Sequence, residues 1–523
     1  MKIKAALIVD NGCLSKWQCL ALKEASEYLD VSLILSCQNT KKRLRFFKHA
    51  AYYALNIFML KSDITKKVPL NIENVKTEKF ESIYSGIWQK IPEDVSDLIK
   101  ENGIKLVIKF GMSLLRIDEG LTDLDILSFH HGDPEFYRGR PAGFYELYNK
   151  ENYLGIIVQK LNNQLDGGDI LFRAYAKIYH YSYRKTAYNF YSNSRYLLKK
   201  SLINYRQGEG VDISSLGHNY KLPSNFMVVK FLMKLLYRNI HRIIYGLFFE
   251  KRWNVVKFGF KKIDDLFDIP VSVGYVPEIK SGYTFYADPF FSADGIKVRV
   301  EALSAKKGVG EIIELNSQSL AIESVLLEGS HFSYPYSFID SAIEYLVPEV
   351  ASHSSPYLLP VASPSGTKIP LLGLEGVRLL DGSLLKHNDV YYLFAGHRDS
   401  VSDCLFLYSS RKLEGPYISH PQNPVVMDPA AARMGGRLYC DKGKIYRFGQ
   451  NNCVGYGAKL AVREIVVLSD EFYAESHVRE ISFPDFHGPH NIDINEDTAV
   501  LDFYSNQFSL LAGYRRLVAA VFR

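Results

Sequence analysis

Residues 1–206 alternate short apolar runs with segments whose apolar positions recur at helical spacing. Ala5–Val9 is an unbroken apolar run, Ser15–Tyr28 has the period of a helix, and Val31–Ser36 is a second run. Buried runs separated by helix-length segments predict βαβ units around a parallel sheet. The same pattern continues with a helix over 41–60, which opens on the basic residues Lys41, Lys42, Arg43, Arg45 and Lys48. An amphipathic helix follows over Ile91–Asn102, then strands over Lys105–Phe110 and Asp125–Phe129. A helix is expected to start with Pro141 at its first position, where a missing N–H costs nothing. Strands near 155–160 and 170–178 and a Tyr-rich helix over 183–206 complete an α/β doubly wound domain. No Gly-x-Gly-x-x-Gly follows the first strand, so dinucleotide binding is not supported.

Residues 207–225 are polar and rich in glycine and serine, which reads as the start of a linker over 207–267. Within it, 226–249 has helical period with a basic stripe of Lys230, Lys234, Arg238, His241 and Arg242 on an otherwise apolar surface. Such a helix fits two settings: clamped between domains with its basic stripe in solvent, or lying in a membrane interface.

From 268 to 523 the pattern changes to short strands paired across tight polar turns, repeated five times. The second strand of each pair begins at 296, 343, 390, 445 and 500, spacings of 47, 47, 55 and 55 residues. A period near fifty with four short strands per unit predicts a five-bladed β-propeller.

Composition adds little to this division. Hydrophobic content of 47 % and charge of 23 % are those of a globular chain, and a net charge of +6 is no nucleic-acid signature by itself. The six cysteines form no Cys-x-x-Cys pair and no cluster with histidines at zinc spacing, so free thiols and no metal site are expected. The first apolar run is too short for a signal peptide, and no uncharged apolar stretch is long enough to span a bilayer. A cytoplasmic protein is expected, with peripheral contact at the inner membrane through 226–249.

The chemistry concentrates first at 126–171. The strand ending at Phe129 delivers His130 to its carboxyl end, where open α/β sheets place their ligands. The turn Asp166-Gly-Gly-Asp169 then offers carboxylates, and histidine plus carboxylate is an acid–base pair in outline. His130, followed by Arg138-Gly139, Pro141 and Asp166-x-Gly-Asp-Ile-Leu, resembles the core of the folate-dependent formyltransferases, over roughly residues 1–205. The resemblance implies transfer of a formyl group from 10-formyltetrahydrofolate to an amine. It makes Asp166 the group that holds His130, and His130 the group that stabilises the oxyanion or shuttles the proton. It sets Ser128 where the family has an asparagine whose amide helps hold the oxyanion, a donor whose loss typically costs about 10²–10³ in rate. It further implies Phe110, Gly111, Met112 and Asp169 on the cofactor side, and His131, Asp133 and Arg138 on the substrate side. A tRNA substrate is disfavoured, because no compact basic module follows the domain.

The second concentration lies where propeller strands converge. Asp288, Ser333, Tyr334, Asp381, Arg433 with Gly435 and Gly436, His487 and His490 stand at the starts of first strands, with Glu301 and Glu349 on the next ones. Carboxylates, an arginine and histidines at one mouth suit a carbohydrate or phosphosugar. The segments Tyr286-Ala-Asp288-Pro-Phe-Phe, His331-Phe-Ser-Tyr-Pro-Tyr, Pro348-Glu349, Ala432-Arg433-x-Gly-Gly-Arg, Gln450 and Tyr456-Gly are similar to the N-terminal domain of plant glucosamine inositolphosphorylceramide transferases. That resemblance implies a glycan setting. Two readings therefore stand. In one, the chain N-formylates a nucleotide- or lipid-linked amino sugar for surface polysaccharide such as O-antigen, and its propeller binds glycan. In the other, the propeller is itself a glycosyltransferase or glycosidase working through Asp288, Glu301, Glu349 or Asp381, beside a repurposed formyltransferase-like domain. A purely glycan-binding protein is a third, weaker reading.

Overall fold

The computed structural model describes residues 2–39, 46–211, 213, 215–350, 353–364, 366–400 and 403–521, and it divides into two units, Met1–Asn239 and Ile240–Arg523. In the first unit, five parallel strands run in the order Lys76–Phe80, Leu29–Cys37, Ile3–Asp10, Leu106–Lys109, Asp125–His131. The antiparallel pair Tyr153–Lys160 and Asp169–Lys177 extends the last edge. The chain winds outward from Ile3–Asp10 to one side and then to the other, so the sheet is doubly wound. Its switch point lies between the ends of Ile3–Asp10 and Leu106–Lys109. Core residues such as Ala6, Ile8, Leu33, Leu35, Val107 and Ile126 are fully or nearly fully buried beneath the helix Glu93–Glu101. The helix Lys16–Glu24 opens on Ser15, whose backbone N–H donates to Gln18 Oε1 at 2.7 Å, a capping box written in the sequence.

Two helix expectations change in detail. Arg140–Pro141 is a cis peptide and the helix begins only at Phe144, because Gly143 at φ 70° turns the chain into it; Pro141 belongs to the preceding turn. The Tyr-rich segment is two helices, Tyr183–Asn193 and Leu197–Gln207, joined by a 3₁₀ turn. The helix Phe46–Met59 fills the expected 41–60 segment, whose basic start at 41–45 lies outside the described residues.

The second unit is the five-bladed propeller. Its second strands start at Lys297, Ile343, Val390, Lys444 and Thr498, at or within two residues of the positions read from the repeat. The last blade holds Ile492–Asn495, Thr498–Phe508 and, from before the first blade, Phe249–Gly259, which pairs with Thr498–Phe508 along its whole length. That strand lies inside the expected 207–267 linker, so the propeller begins earlier than 268. An isolated edge strand had no local signal to announce a partner some 250 residues away. Apolar layers seal the blades together, such as Val256, Phe258, Phe448, Val462, Ile492 and Leu501 between the last two.

The remaining linker is also structured. His218–Tyr220 pairs in parallel with Tyr137–Gly139, bracing the loop that carries Arg138. The helix Asn225–Phe248 buries Val228, Phe231 and Leu235, and Phe231 stacks on Phe144 with centroids 4.3 Å apart. Two members of its basic stripe are engaged there, Arg238 donating to Leu147 O at 2.8 Å and Lys234 standing 3.5 Å above the Tyr148 ring. Among the described residues, no helix is long and apolar enough to cross a membrane.

Candidate functional sites

The strand Asp125–His131 buries Ile126, Leu127 and Ser128 and ends by presenting two histidines on opposite faces, as alternation requires. His130 faces the glycine turn: its Nδ1 lies 3.4 Å from Asp166 Oδ1, and its Nε2 lies 3.3 Å from Tyr137 O. Asp166 sits at φ 50° and is fixed from behind by the Gly139 N–H, which donates to Oδ2 at 2.8 Å. Arg138 holds the same loops by donating to Gly217 O at 2.8 Å and Leu165 O at 3.3 Å. The arginine expected to meet substrate thus acts as a brace for the turn.

Ser128 is buried two residues before His130 and pairs in register with Lys109 on the next parallel strand. Register partners and residues two apart share a sheet face, so Lys109, Ser128 and His130 look the same way. Lys109 was missed in the sequence; the signal was a lysine closing the apolar run Leu-Val-Ile. Burial lowers its ammonium to about 8, against the pull of Asp10 and Asp166. Asp10 in turn accepts the Met112 N–H at 2.8 Å. Gln159, also missed, closes the row by accepting the Gly168 N–H at 3.2 Å.

Several expected contacts lie elsewhere. His131 is on the opposite face, where it meets Ser194 Oγ at 2.9 Å within a cluster of Trp17, Phe190 and Tyr191. Burial, helped by His130, lowers it to about 3, so it is a neutral core group rather than a substrate ligand. Phe110 stacks on Phe129 at 5.5 Å beside Trp17, and the Met112 side chain is buried in the core under the sheet. Of Met112 only the backbone remains at the strand end, while Phe110 is half-buried there. There Gly111 is required, because a Cβ would lie 2.6 Å from Asp10 Oδ1. Asp133 is buried, accepts the Glu135 N–H at 3.2 Å and pairs with Arg173, so it stabilises a turn. Asp169 is exposed at the start of its strand.

At the propeller centre, residues from all five blades interlock. The Tyr334 hydroxyl lies 2.8 Å from Ser383 Oγ and accepts the Gly436 N–H at 3.0 Å, while the Tyr334 N–H donates to Asp288 at 3.2 Å. Arg433 pairs with Asp381, Gln450 donates to Asp381 at 2.9 Å, and the Asp381 N–H donates to Glu349 at 3.1 Å. His490 stands between Asp288 at 3.1 Å and Asp502 at 2.7 Å. The expected residues Asp288, Glu349, Asp381, Arg433 and His490 therefore meet. Glu301 lies near them, 3.9 Å from His331. His487 stands apart at the rim, stacked on Tyr504 and near Asn506. Sequence reasoning missed Asp502 and Trp253; a carboxylate inside the apolar run Val500-Leu-Asp-Phe was the signal for the first.

The sequence model for the N-terminal domain of glucosamine inositolphosphorylceramide transferase 1 matches residues 280–487, which span the first four blades. The protein of that name from Oryza sativa subsp. japonica is 30 % identical over 216 residues, 38 % of this chain and 28 % of that one. The one from Arabidopsis thaliana is 26 % identical over 208 residues, 37 % of this chain and 27 % of that one. The chain thus matches under a third of the length of these relatives. Among solved structures, a glycinamide ribonucleotide transformylase from Symbiobacterium toebii is 12 % identical, covers 42 % of this chain and 95 % of its own, with a TM-score of 0.29. A sugar N-formyltransferase from Shewanella is 12 % identical, covers 45 % of this chain and 88 % of its own, with a TM-score of 0.28.

Proposed function

We propose that the first unit transfers a formyl group from 10-formyltetrahydrofolate to the amine of an amino sugar on a nucleotide or lipid carrier, in surface polysaccharide synthesis. The observation that carries this reading is the His130–Asp166 pair, 3.4 Å apart on the face shared by Ser128 and Lys109. These residues fit the formyl end of the donor: a base held by a carboxylate stands beside two donors for a carbonyl oxygen. Met112 does not fit as a side-chain contact to its folate end, since it is turned into the core, while Phe110 is half-buried against Phe129. When bound, 10-formyltetrahydrofolate supplies the carbon to be transferred. Asp166 holds the His130 ring and assists proton removal, and His130 Nε2, once turned from Tyr137 O, would take the proton from the attacking amine and give it to the departing nitrogen. Ser128 and Lys109 donate to the carbonyl oxygen as it gathers charge, which lowers the barrier only if both are aimed before reaction.

The glycan setting is supported by the propeller relatives, which carry glucosamine in their names. An anionic membrane surface is the proposed location. Ile240, Ile243, Ile244 and Leu247 are exposed at the end of the helix Asn225–Phe248, as are Leu510, Leu511, Tyr514 and Leu517 near the C-terminus. No acidic residue occurs in 225–249 or 503–523.

The test is mass spectrometry of nucleotide-linked amino sugars incubated with the full chain and 10-formyltetrahydrofolate. A formyl mass gain that disappears in His130→Ala and Asp166→Asn supports the reading. No gain on any sugar, with no folate binding by calorimetry, overturns it.

A further inference from the structure

We infer that the propeller centre is a second, independent catalytic site, acting on glycosides of neutral or amine-bearing sugars, with Glu349 as proton donor and Asp288 as the opposing carboxylate. Glu349 and Asp381 are neighbours, but Arg433 and Gln450 both donate to Asp381, leaving Glu349 as the carboxyl that keeps a proton. Burial, followed by the neighbouring Asp381 and against Arg433, pushes Glu349 up to about 8. A carboxyl that keeps its proton at neutral pH beside ion-paired carboxyl groups is a candidate general acid.

Asp288 is fixed from two sides, by the Tyr334 N–H at 3.2 Å and by His490 Nε2 at 3.1 Å. Burial opposes charge on His490, yet Asp502 and Asp288 outweigh it and push the ring up to about 10, so it is an imidazolium near neutrality. Asp288, His490 and Asp502 are close enough together to hold a cation. Each ring nitrogen lies within ion-pair distance of a carboxylate, with Nδ1 out of hydrogen-bond alignment to Asp502, and Asp502 already accepts the N–H groups of His490, Asn491 and Asp288 at 2.8, 3.0 and 3.1 Å.

Asp288, Tyr334 and Asp381 occupy matching places in three blades, each with φ near 50° (50°, 49° and 51°); at Asp288 and Asp381 this is the bend of a strand irregularity that turns the residue to the centre. One observation points to a ligand. Gln450 is 1 % exposed, and its Oε1 has no hydrogen-bond partner beside Asp381. Tyr456 is exposed, with Arg433 5.3 Å from its ring centroid, and it is backed by the buried rings of His490 at 5.2 Å and Trp253 at 6.2 Å, so Tyr456 is the ring of this group open to a sugar face. Asp288, Glu301, Asp381 and Asp502 still outnumber His490, Arg433 and Lys251, whose ammonium lies 5.8 Å from the Tyr456 ring, even with Glu349 protonated. A phosphate on the bound ring is therefore disfavoured, and a neutral or aminated ring fits.

The step balances without a further reactant. Glu349 gives its proton to the bridging oxygen as the C1–O bond breaks. Water or an acceptor hydroxyl forms the new C1–O bond and yields a proton to Asp288, which returns it through solvent.

The test incubates the full chain with 2,4-dinitrophenyl and methyl glycosides of glucosamine, N-acetylglucosamine and glucosamine 6-phosphate. Folding of each variant is checked by circular dichroism. The expected result is release from the unphosphorylated sugars. Glu349→Gln should lose 10²-fold or more on methyl glycosides, which need an acid, and under tenfold on dinitrophenyl glycosides, which do not. Asp288→Asn should lose both. No release from any dinitrophenyl glycoside, binding without release, or equal losses on both leaving groups in Glu349→Gln would overturn the inference.

Discussion

Lys109 and Ser128 are register partners on adjacent parallel strands, and the lysine ammonium is buried between Asp10 and Asp166. A serine hydroxyl is a shorter donor than an asparagine amide, and in the formyl transfer proposed above Lys109 would supply the donation that Ser128 does not. Lys109→Met should lower formyl-transfer kcat by about 10²-fold or more with KM little changed. Adding Ser128→Asn to that variant should restore most of the rate. Because Lys109 sits at about 8, the wild-type rate should fall as pH rises through 8, and the doubly substituted enzyme should lose that limb. Paired pH–rate profiles decide the matter, and a Lys109→Met enzyme with wild-type kcat would sink the idea.

What was legible in the sequence divides along a physical line. Period and turn spacing announced both folds, because every blade must bury its own strands and leave a turn in water. Motif residues His130 and Asp166 were legible because they lie in one local frame each. Side-chain direction was not: His131 follows His130 directly, yet alternation sends it into a core of Trp17 and Tyr191. Long-range partners were also hidden. Nothing local tells that Phe249–Gly259 closes the last blade, or that Asp502 will stand behind His490.

His131 and His490 predict opposite pH responses in the two units. His131, lowered from 6.5 to about 3, contributes stability that is complete above 6.5 and is lost as pH falls toward 3. His490, raised from 6.5 to about 10, contributes stability that is complete below 6.5 and is lost as pH rises through 10. Trp17 lies 5.3 Å from His131 and Trp253 4.3 Å from His490, so each unit carries its own reporter. Urea unfolding of Trp253→Phe should show the acid-side loss, and of Trp17→Phe/Trp88→Phe the alkaline one. Parallel pH trends in both variants would contradict the assignment.

Gly436 marks the seam between the last two blades. Its φ is 136°, and a Cβ there would lie 1.9 Å from the Ile492 carbonyl oxygen, so neither backbone nor neighbour can yield cheaply. Gly436→Ala should cost about 3 kcal/mol or more of propeller stability. The Trp253 urea transition should move to lower denaturant while the Trp17 transition stays. Unchanged midpoints would show that the seam can open without cost.

The last prediction concerns the apolar ends of two helices. Gly513 lets the helix Ala512–Val521 approach Leu247, since a Cβ would lie 3.1 Å from Leu247 Cδ2, and Arg516 caps the longer helix by donating to Gly246 O and to Phe249 O at 2.6 Å. With these contacts made, Leu511 and Leu517 remain 55 % and 67 % exposed. Burying such residues at a bilayer surface removes apolar area from water, and each nearby basic residue adds about 1 kcal/mol toward anionic lipid. The full chain should sediment with vesicles containing phosphatidylglycerol and far less with phosphatidylcholine alone, and salt should weaken the binding. Leu511→Glu/Leu517→Glu should abolish it while leaving formyl transfer to a soluble nucleotide sugar intact. If the same substitutions instead convert a dimer to a monomer in light scattering, with no vesicle binding by wild type, a second copy of the chain covers this face and the membrane reading falls.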